Sequence, residues 1–265
     1  MDQTSRDSVA AKAARDRRRA RRVHSGGLAG LIWPQRSLIT GRELAGPGSL
    51  EPELWAKLRF ISDPVCATCG EPFEIAVEEG QLCSACLVRP PAYTRARAAL
   101  EYGEVSRDLV LALKYQGRRD GLDLLGGWMA LAAADLVTDE HLIVPVPLHY
   151  FRLLSRGFNQ SAWLAGSLSR LTGARLGVDI LKRTRSTPIQ GGLSAEGRRR
   201  NVEGVFRVRR SRHHMVKDQK ILLVDDVLTT GATAEACSRA LKRAGASCVD
   251  VVTLARVAAP RAAPI

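Results

Sequence analysis

Long hydrophobic runs are absent from this 265-residue sequence. No apolar stretch reaches the roughly 18 residues that a membrane-spanning helix needs, so we expect no membrane insertion. No signal peptide is visible, which favours a cytoplasmic location and reduced cysteines. Two common nucleotide-binding signatures are also missing: the Gly-Lys-Ser/Thr of a P-loop and the three spaced glycines of a dinucleotide-binding fold. The chain is nevertheless long enough for one full hydrophobic core and a small module.

Acidic residues are scarce relative to basic ones, and the imbalance is local. The sequence has 40 Lys/Arg against 27 Asp/Glu, a formal charge of +13. Residues 1–40 contribute +6 and residues 182–212 contribute +8, so the rest of the chain is nearly neutral. We interpret residues 1–30, with the Arg-rich run 15–22, as a disordered basic arm. It either binds nucleic-acid phosphates without sequence preference, serves as a solubilising tail, or reflects a start codon placed too early.

The strongest motif is the run 221–233, which reads ILLVDDVLTTGAT. Four aliphatic residues followed by Asp225 and Asp226 are typical of a buried parallel strand that stops at a polar edge. The Gly/Thr turn then leads into a predicted helix over 234–244, whose unpaired N–H groups and dipole favour a phosphate. Adjacent carboxylates can accept hydrogen bonds from a sugar diol or hold Mg²⁺. The motif therefore predicts a site for a phosphorylated ribose; the alternative is two solvated aspartates before a capped helix.

This run resembles the phosphoribosyl-pyrophosphate (PRPP) motif of type I phosphoribosyltransferases. The resemblance implies that Asp225 and Asp226 bind the ribose hydroxyls and that the following loop wraps the 5-phosphate. That loop consists of Thr229, Thr230, Gly231, Ala232 and Thr233. Purine-salvage members have a general-base aspartate at the position of Thr229. The resemblance is therefore closer to the orotate or glutamine-amidotransferase branches, and purine salvage is disfavoured.

Further motifs resemble those of the ComF family, bacterial proteins that join a zinc ribbon to a phosphoribosyltransferase-like domain. They are LKYQGRRD at 113–120, VPVPLH at 144–149, RGFNQ at 156–160, and the run 187–204. The resemblance implies an α/β fold with a mostly parallel sheet and flanking helices, preceded by a small zinc-ribbon module. It also implies a link with DNA uptake in competent bacteria.

The basic segment 182–206 lies between two predicted strands. In type I phosphoribosyltransferases the corresponding segment is a mobile hood, and a similar Pro-x-Gln run followed by arginines and Asn occurs in the glutamine amidophosphoribosyltransferases. A closing basic loop excludes water and stabilises the departing pyrophosphate. We therefore predict catalytic roles for Lys182, Arg183, Arg198 and Arg199. The alternatives are a solvated loop or a strip that grips DNA.

Four cysteines have the spacing of a structural metal site. Cys66, Cys69, Cys83 and Cys86 form two Cys-x2-Cys knuckles with 13 residues between them. Four thiolates leave no open position for a substrate, so we predict a structural zinc ion. Disulfides or free thiols are the alternative, and a reducing compartment disfavours disulfides. Zinc in such a site contributes on the order of 10 kcal/mol, enough to fold a module too small for its own core.

Residues 37–54 repeat the same pattern without cysteines. SxxTG at 37–41 mirrors CxxCG at 66–70, and Glu51 and Leu54 mirror Cys83 and Cys86. We interpret this segment as a degenerate ribbon without metal; coincidence is the alternative. The predicted domains are the basic arm 1–30, the degenerate ribbon 31–62, the zinc ribbon 63–92, the phosphoribosyltransferase-like domain 93–257 and a tail, 258–265.

Two classes of function follow. The first is Mg²⁺-dependent transfer of a 5-phosphoribosyl group from PRPP to an unidentified nitrogen acceptor. The second is a non-catalytic, PRPP-responsive or DNA-uptake accessory protein that binds single-stranded DNA and competence or DNA-processing proteins. Both predict PRPP as a ligand and zinc as a structural ion, and both are compatible with an oligomer.

Overall fold

The computed structural model describes residues 36–44, 50–116, 119, 121–185 and 204–258. Within these ranges no helix has both the length and the apolar character that crossing a bilayer requires. The predicted arm 1–30, the tail from residue 259, and Arg198 and Arg199 of the basic segment lie outside the described residues.

The described residues form seven strands: β1 (Ala96–Glu101), β2 (Leu142–Pro145), β3 (Arg175–Leu176), β4 (Leu181–Arg183), β5 (Phe206–Val208), β6 (Lys220–Leu228) and β7 (Cys248–Arg256). Five of them make one sheet in the order β1-β7-β6-β2-β3, and all its strand pairs are parallel. Strands β4 and β5 pair as a separate antiparallel ribbon. The predicted α/β fold with a mostly parallel sheet is therefore confirmed.

Seven α-helices accompany these strands in the described part of the chain: α1 (Pro52–Trp55), α2 (Ser84–Val88), α3 (Glu104–Leu111), α4 (Leu122–Ala132), α5 (Tyr150–Arg156), α6 (Gln160–Thr172) and α7 (Ala232–Arg243). A π-helical turn, Ala112–Gln116, continues α3, and a 3-10 helix, Arg210–Met215, follows β5. The helix predicted over 234–244 corresponds to α7, which begins two residues earlier.

Strand β6 separates two hydrophobic cores because its successive side chains point to opposite faces. Leu222 and Val224 pack with helices α3, α4 and α6, while Ile221 and Leu223 pack with α7, the β4–β5 ribbon and the cysteine module. All four side chains are fully buried. Each contributes about 1.5–3 kcal/mol relative to exposure, so this strand is central to the stability of the domain.

The acid pair lies inside β6 rather than after it, which corrects the predicted strand end at Val224. On one side, pairing with β2 stops at Pro145 and Val224. On the other side, pairing with the long strand β7 continues to Leu228 and Arg256. The two aspartates therefore follow the point where β2 has ended, and their side chains reach the open carboxyl edge of the sheet.

The cysteine module is fixed to the outer edge of β1. The backbone N–H of Ala96 donates to the carbonyl oxygen of Thr68 at 2.7 Å, and that of Ile61 donates to Ala99 at 3.0 Å. Gly70 has a φ of +69°, and a Cβ atom there would lie 2.5 Å from the Ala96 carbonyl oxygen. Only glycine permits this approach. The contacts also cover an edge strand that would otherwise expose unpaired backbone groups.

Candidate functional site

A cavity of about 240 Å³ opens where β2 ends and β6 continues. Ligands of open α/β sheets bind at this carboxyl edge. The predicted site residues that line the cavity are Arg183, Asp225, Asp226, Thr229, Gly231, Ala232 and Thr233. The structure therefore brings one residue of the basic segment together with the acid pair and most of the predicted phosphate loop.

Two other predicted residues are placed differently. Lys182 precedes Arg183 in β4 and is exposed, because neighbouring side chains of a strand point to opposite faces. It lines a separate groove on the far side of the β4–β5 ribbon. The Thr230 side chain does not line the cavity, and its hydroxyl is buried without a hydrogen-bond partner among the described residues.

Asp226 is held by two side chains from distant parts of the sequence. Lys114 Nζ lies 3.0 Å from Asp226 Oδ2, and Gln160 Nε2 donates to the same oxygen at 2.9 Å. Asp226 is only 6% exposed. A carboxylate this deeply buried needs such partners, because an unpaired buried charge is strongly unfavourable. The π-helical turn and the first turn of α6 therefore converge on this acid.

Asp225, unlike Asp226, is held by a hydroxyl group and a backbone N–H group. Ser161 Oγ donates to Asp225 Oδ1 at 3.0 Å, and the backbone N–H of Asp226 donates to the same oxygen at 2.9 Å. Burial, and then the neighbouring carboxylate of Asp226, raise the pKa of Asp225 to about 7. A hydroxyl donor or a cation beside this group would favour its ionised form.

The loop after β6 is shaped for an anion. The chain turns into α7 at Gly231, which has a φ of +75° and is the N-cap residue, and no side chain caps the helix. The first N–H groups of an uncapped helix, together with its dipole, form a site for negative charge. Tyr93 lies close beneath this turn, since a Cβ atom at Gly231 would be 3.6 Å from its hydroxyl.

Basic side chains from three elements complete the cavity wall. They are Lys114, Arg152, Arg156 and Arg183. The guanidinium of Arg156 lies 5.1 Å from the centroid of the Tyr115 ring, and that of Arg183 lies 5.5 Å from the Phe206 ring. Burial and the nearby Arg152 lower the pKa of Arg183. A bound anion would offset both effects and stabilise the charged guanidinium. The cavity thus suits a ligand that carries both hydroxyl groups and phosphates.

Several cavity residues carry no predicted role, namely Lys114, Arg152, Arg156, Gln160 and Ser161. Three of them lie in the runs 113–120 and 156–160 that resemble ComF motifs. The sequence signal for Gln160 and Ser161 is Asn159, a residue type common at the N-cap of a helix, whose side chain accepts from the Ser161 N–H at the start of α6. Nothing in the periodicity of residues 105–116 distinguishes Lys114, because its position depends on a π-helical turn that packs against β6.

The four cysteines of the knuckles meet in one place. Their sulfur atoms all lie within 4.8 Å of one another, and the sulfurs of Cys69 and Cys83 are 3.6 Å apart. Zinc–sulfur bonds of about 2.3 Å in a tetrahedron place sulfurs about 3.8 Å apart, so the group fits a zinc ion. Burial raises the pKa of the Cys69 thiol to about 11, so thiolates need a cation here. The geometry supports a structural zinc.

The upstream copy repeats the backbone of the zinc ribbon. The bridge between residues 36 and 43 corresponds to the bridge between 65 and 72. The N–H of Ser37 donates to the Arg42 carbonyl at 2.8 Å, as that of Cys66 donates to Glu71. In place of metal–sulfur bonds, the Ser37 hydroxyl donates to one Glu51 oxygen at 2.5 Å and Thr40 donates to the other. We propose that the Glu51 carboxylate replaces the metal in this degenerate ribbon.

The fold and the site define a phosphoribosyltransferase-like protein with a zinc-ribbon module. Residues 144–264 match the phosphoribosyl transferase domain family, and residues 28–87 match the double zinc ribbon domain. The chain is 32% identical over 200 residues to Competence protein F of Haemophilus influenzae, covering 74% of this chain and 86% of that protein. It therefore belongs to the ComF family, as the sequence motifs predict.

Two further comparisons describe its relatives. The chain is 34% identical over 197 residues to the DNA utilization protein YhgH of Escherichia coli K12, covering 72% of this chain and 84% of that protein. Among solved structures it is similar to the glutamine PRPP amidotransferase of Bacillus subtilis, with 20% identity and a TM-score of 0.36. That match covers 54% of this chain and 30% of the amidotransferase.

Proposed function

We propose that this protein binds PRPP with Mg²⁺ in the cavity at the carboxyl end of β2 and β6, and that it transfers the 5-phosphoribosyl group to a nitrogen acceptor. The supporting observation is that the acid pair, the uncapped start of α7 and four basic side chains share one cavity of about 240 Å³. PRPP carries a diol, a 5-phosphate and a pyrophosphate, and each of these has a chemical counterpart in the cavity wall.

In this proposal Asp225 and Asp226 accept hydrogen bonds from the ribose 2- and 3-hydroxyls. The 5-phosphate lies against the loop 229–233, where the backbone N–H groups of α7 face it. A role for Thr230 in holding this phosphate stays a prediction, since its side chain does not line the cavity. Lys114 holds the Asp226 carboxylate in position, because its ammonium group lies 3.0 Å from that carboxylate.

The acid pair also fits a hydrated Mg²⁺ ion. Carboxylate oxygens are the ligands that magnesium prefers. Burial, and then the adjoining Asp226 carboxylate, raise the pKa of Asp225, and a bound cation would favour its ionised form. When bound with PRPP, magnesium supplies charge neutralisation for the pyrophosphate leaving group.

In the transfer, the C1–O bond to pyrophosphate breaks and its electron pair leaves with the pyrophosphate. The lone pair of the acceptor nitrogen forms the new C1–N bond, and the nitrogen then loses its proton to solvent. In this proposal Arg152, Arg156 and Arg183, which line the cavity, stabilise the leaving group, and electrostatic stabilisation contributes most at that point. Roles for Lys182, Arg198 and Arg199 stay predictions.

The test of this proposal is release of pyrophosphate. Purified protein with PRPP and Mg²⁺ is assayed against ammonia, glutamine, orotate and the nucleobases in a coupled pyrophosphate assay. We expect release with at least one acceptor, and loss of that release in Asp225→Asn/Asp226→Asn. The exposed variant Asp179→Asn is the matched control. Binding of PRPP without pyrophosphate release from any acceptor would contradict the transfer step.

A second candidate function is a non-catalytic, PRPP-responsive accessory protein in DNA uptake. The names competence protein and DNA utilization protein of the relatives favour it. It keeps the PRPP site and adds single-stranded DNA and other DNA-processing proteins as partners. The two candidates differ in turnover: the accessory protein binds PRPP and releases no pyrophosphate, whereas the transferase does both.

A further inference from the structure

A second, larger groove lies apart from the cavity. It has a volume of about 1110 Å³ and runs between α7 on one side and the β4–β5 ribbon with its following 3-10 helix on the other. Its floor consists of small and apolar residues: Ala236 and Ala240 of α7, the C-cap residue Ala244, and Phe206 and Val208 of β5. The alanine stripe keeps the space between the two elements open.

The rim of this groove is strongly basic. It carries Lys182, Arg207, Arg209, Arg210, Arg239, Arg243 and His213, and none of the described residues that line it is acidic. Among the described residues, Arg239 pairs with Glu235 at 2.9 Å, and Asp179 interacts electrostatically with Arg209. Lys182, Arg207, Arg210 and Arg243 form no ion pair with another described residue and are exposed. Acidic residues in the described part of the chain therefore leave most of the groove's positive charge uncompensated.

The pairing of β4 with β5 brings like charges together, which destabilises the ribbon itself. Lys182 and Arg207 are directly opposite each other in the β4–β5 pair. Like charges directly opposite across two strands are destabilising. Arg239 and Arg243 are four residues apart on α7, a second spacing at which like charges repel. Two repulsive pairs facing one groove are compensated when an anion lies between them.

The size of the groove and the spread of its charge favour an anionic polymer over a single phosphate. The groove is several times larger than the 240 Å³ cavity, and its cations extend over two strands, a 3-10 helix and the C-terminal part of α7. Phe206 is 1% exposed, which leaves the His213 imidazole as the aromatic ring exposed in the described part of the groove. Recognition would therefore rest on backbone phosphates and be independent of sequence.

We propose that this groove binds the phosphodiester backbone of single-stranded DNA. A concave groove between a helix and a strand pair admits one flexible strand, whereas a duplex presents its phosphates on a wide convex surface. The site is separate from the PRPP cavity, although both contact α7: residues 232–234 line the cavity, and Ala236, Arg239 and Arg243 line the groove. The inference does not rest on phosphoribosyl transfer, and it would give the accessory function its contact surface.

The test compares two triple variants of equal charge change. Arg207→Gln/Arg210→Gln/Arg243→Gln removes three groove cations. Lys57→Gln/Arg107→Gln/Lys242→Gln removes three exposed cations that do not line the groove, one of them the α7 neighbour of Arg243. Binding of a fluorescent 30-nucleotide oligo-dT to the full chain is followed by anisotropy between 50 and 200 mM salt, with the matching duplex as a second ligand.

Losing three phosphate contacts should reduce the salt dependence of single-strand binding by about two in a log–log plot. Over this fourfold change in salt, the wild type and the control variant should therefore lose about 20-fold more affinity than the groove variant. The groove variant should also bind more weakly at 50 mM salt, and the duplex should bind more weakly than oligo-dT. Equal binding by both variants, or equal affinity for the duplex, would overturn the proposal.

Titration of Mg²⁺ and PRPP into the same variants separates the two sites. Because none of the three groove arginines lines the PRPP cavity, the groove variant should bind PRPP like the wild type. A variant that loses both ligands together with its thermal transition is misfolded. The single variants Arg207→Gln and Arg243→Gln then replace it, each with an expected decrease in slope of about 0.7.

Discussion

Replacement of Asp225 by asparagine should stabilise the ligand-free protein, and the gain should increase with pH. The pKa of Asp225 is about 7 in the folded protein, against about 3.9 in an unfolded chain. Between about pH 4 and pH 7 the folded state therefore binds more protons than the unfolded state. The free energy of unfolding consequently falls as pH rises through this window. Asparagine carries no charge, and its side-chain oxygen can still accept the hydrogen bonds from Ser161 and the Asp226 backbone.

The size of the effect follows from the shift. The difference of about 3 between the folded and unfolded pKa values corresponds to about 4 kcal/mol at pH 8 and about 1.5 kcal/mol at pH 5. Because the Asp225 side chain is only partly buried, water weakens the repulsion that asparagine removes. We therefore expect about half of these values, a gain of about 2 kcal/mol at pH 8 and about 1 kcal/mol at pH 5.

The assay is urea unfolding of the zinc-loaded protein at both pH values, followed by circular dichroism. Asp179→Asn is the control, since a hydrogen bond from Arg212 lowers the pKa of Asp179 and the group is ionised at both pH values. Its effect on stability should not change between pH 5 and pH 8. A gain from Asp225→Asn that is the same at both pH values, or a loss at pH 8, would refute the reasoning about the acid pair.

Three other predictions concern the zinc ribbon and its attachment. Gly70→Ala should destabilise the protein by about 1–3 kcal/mol more than Gly80→Ala, because both glycines have positive φ but only Gly70 would place its Cβ atom against a carbonyl oxygen; equal urea midpoints would contradict this. Arg256→Met should cost about 3 kcal/mol and accelerate zinc release to a chelator, since it removes the buried partner of Glu71 and the Cys69 carbonyl. The control Arg59→Met removes an ion pair with Glu101 in which the arginine is exposed, and it should cost under about 1 kcal/mol. Removal of zinc should lower the melting temperature of the whole domain, because Cys66, Cys69 and Cys86 share a core with β6 and α7; an unchanged transition would show that the ribbon is independent.

The sequence predicts best where the chemistry is local. The run 221–233 contains its strand, both acids and the turn with Gly231, and the structure places all of them at one sheet edge. The knuckle spacing likewise brings four sulfurs together. The repeat at 37–54 predicts a ribbon. No sequence motif predicts that the Ser37 and Thr40 hydroxyls donate hydrogen bonds to Glu51 at the position that a metal occupies in a zinc ribbon.

Strand lengths and contacts between distant residues depend on long-range packing and could not be predicted from the sequence. The extent of β6 depends on its partners, since β2 stops at Pro145 while β7 continues to Arg256. Lys114, which lies in a π-helical turn, contacts Asp226 although the two residues are 112 positions apart in the sequence. The separation of Lys182 from Arg183 follows from strand alternation, which becomes predictive only when the bounds of β4 are known.

The most direct test of the PRPP site is calorimetric titration of Mg²⁺ and PRPP into the wild type and into Asp225→Asn/Asp226→Asn. Hydrogen bonds to charged groups contribute about 1.5–3 kcal/mol each, so we expect one site in the wild type and at least about a 100-fold weaker affinity in the double variant. The same affinity in both proteins would contradict the assignment of the acid pair to the ribose of PRPP.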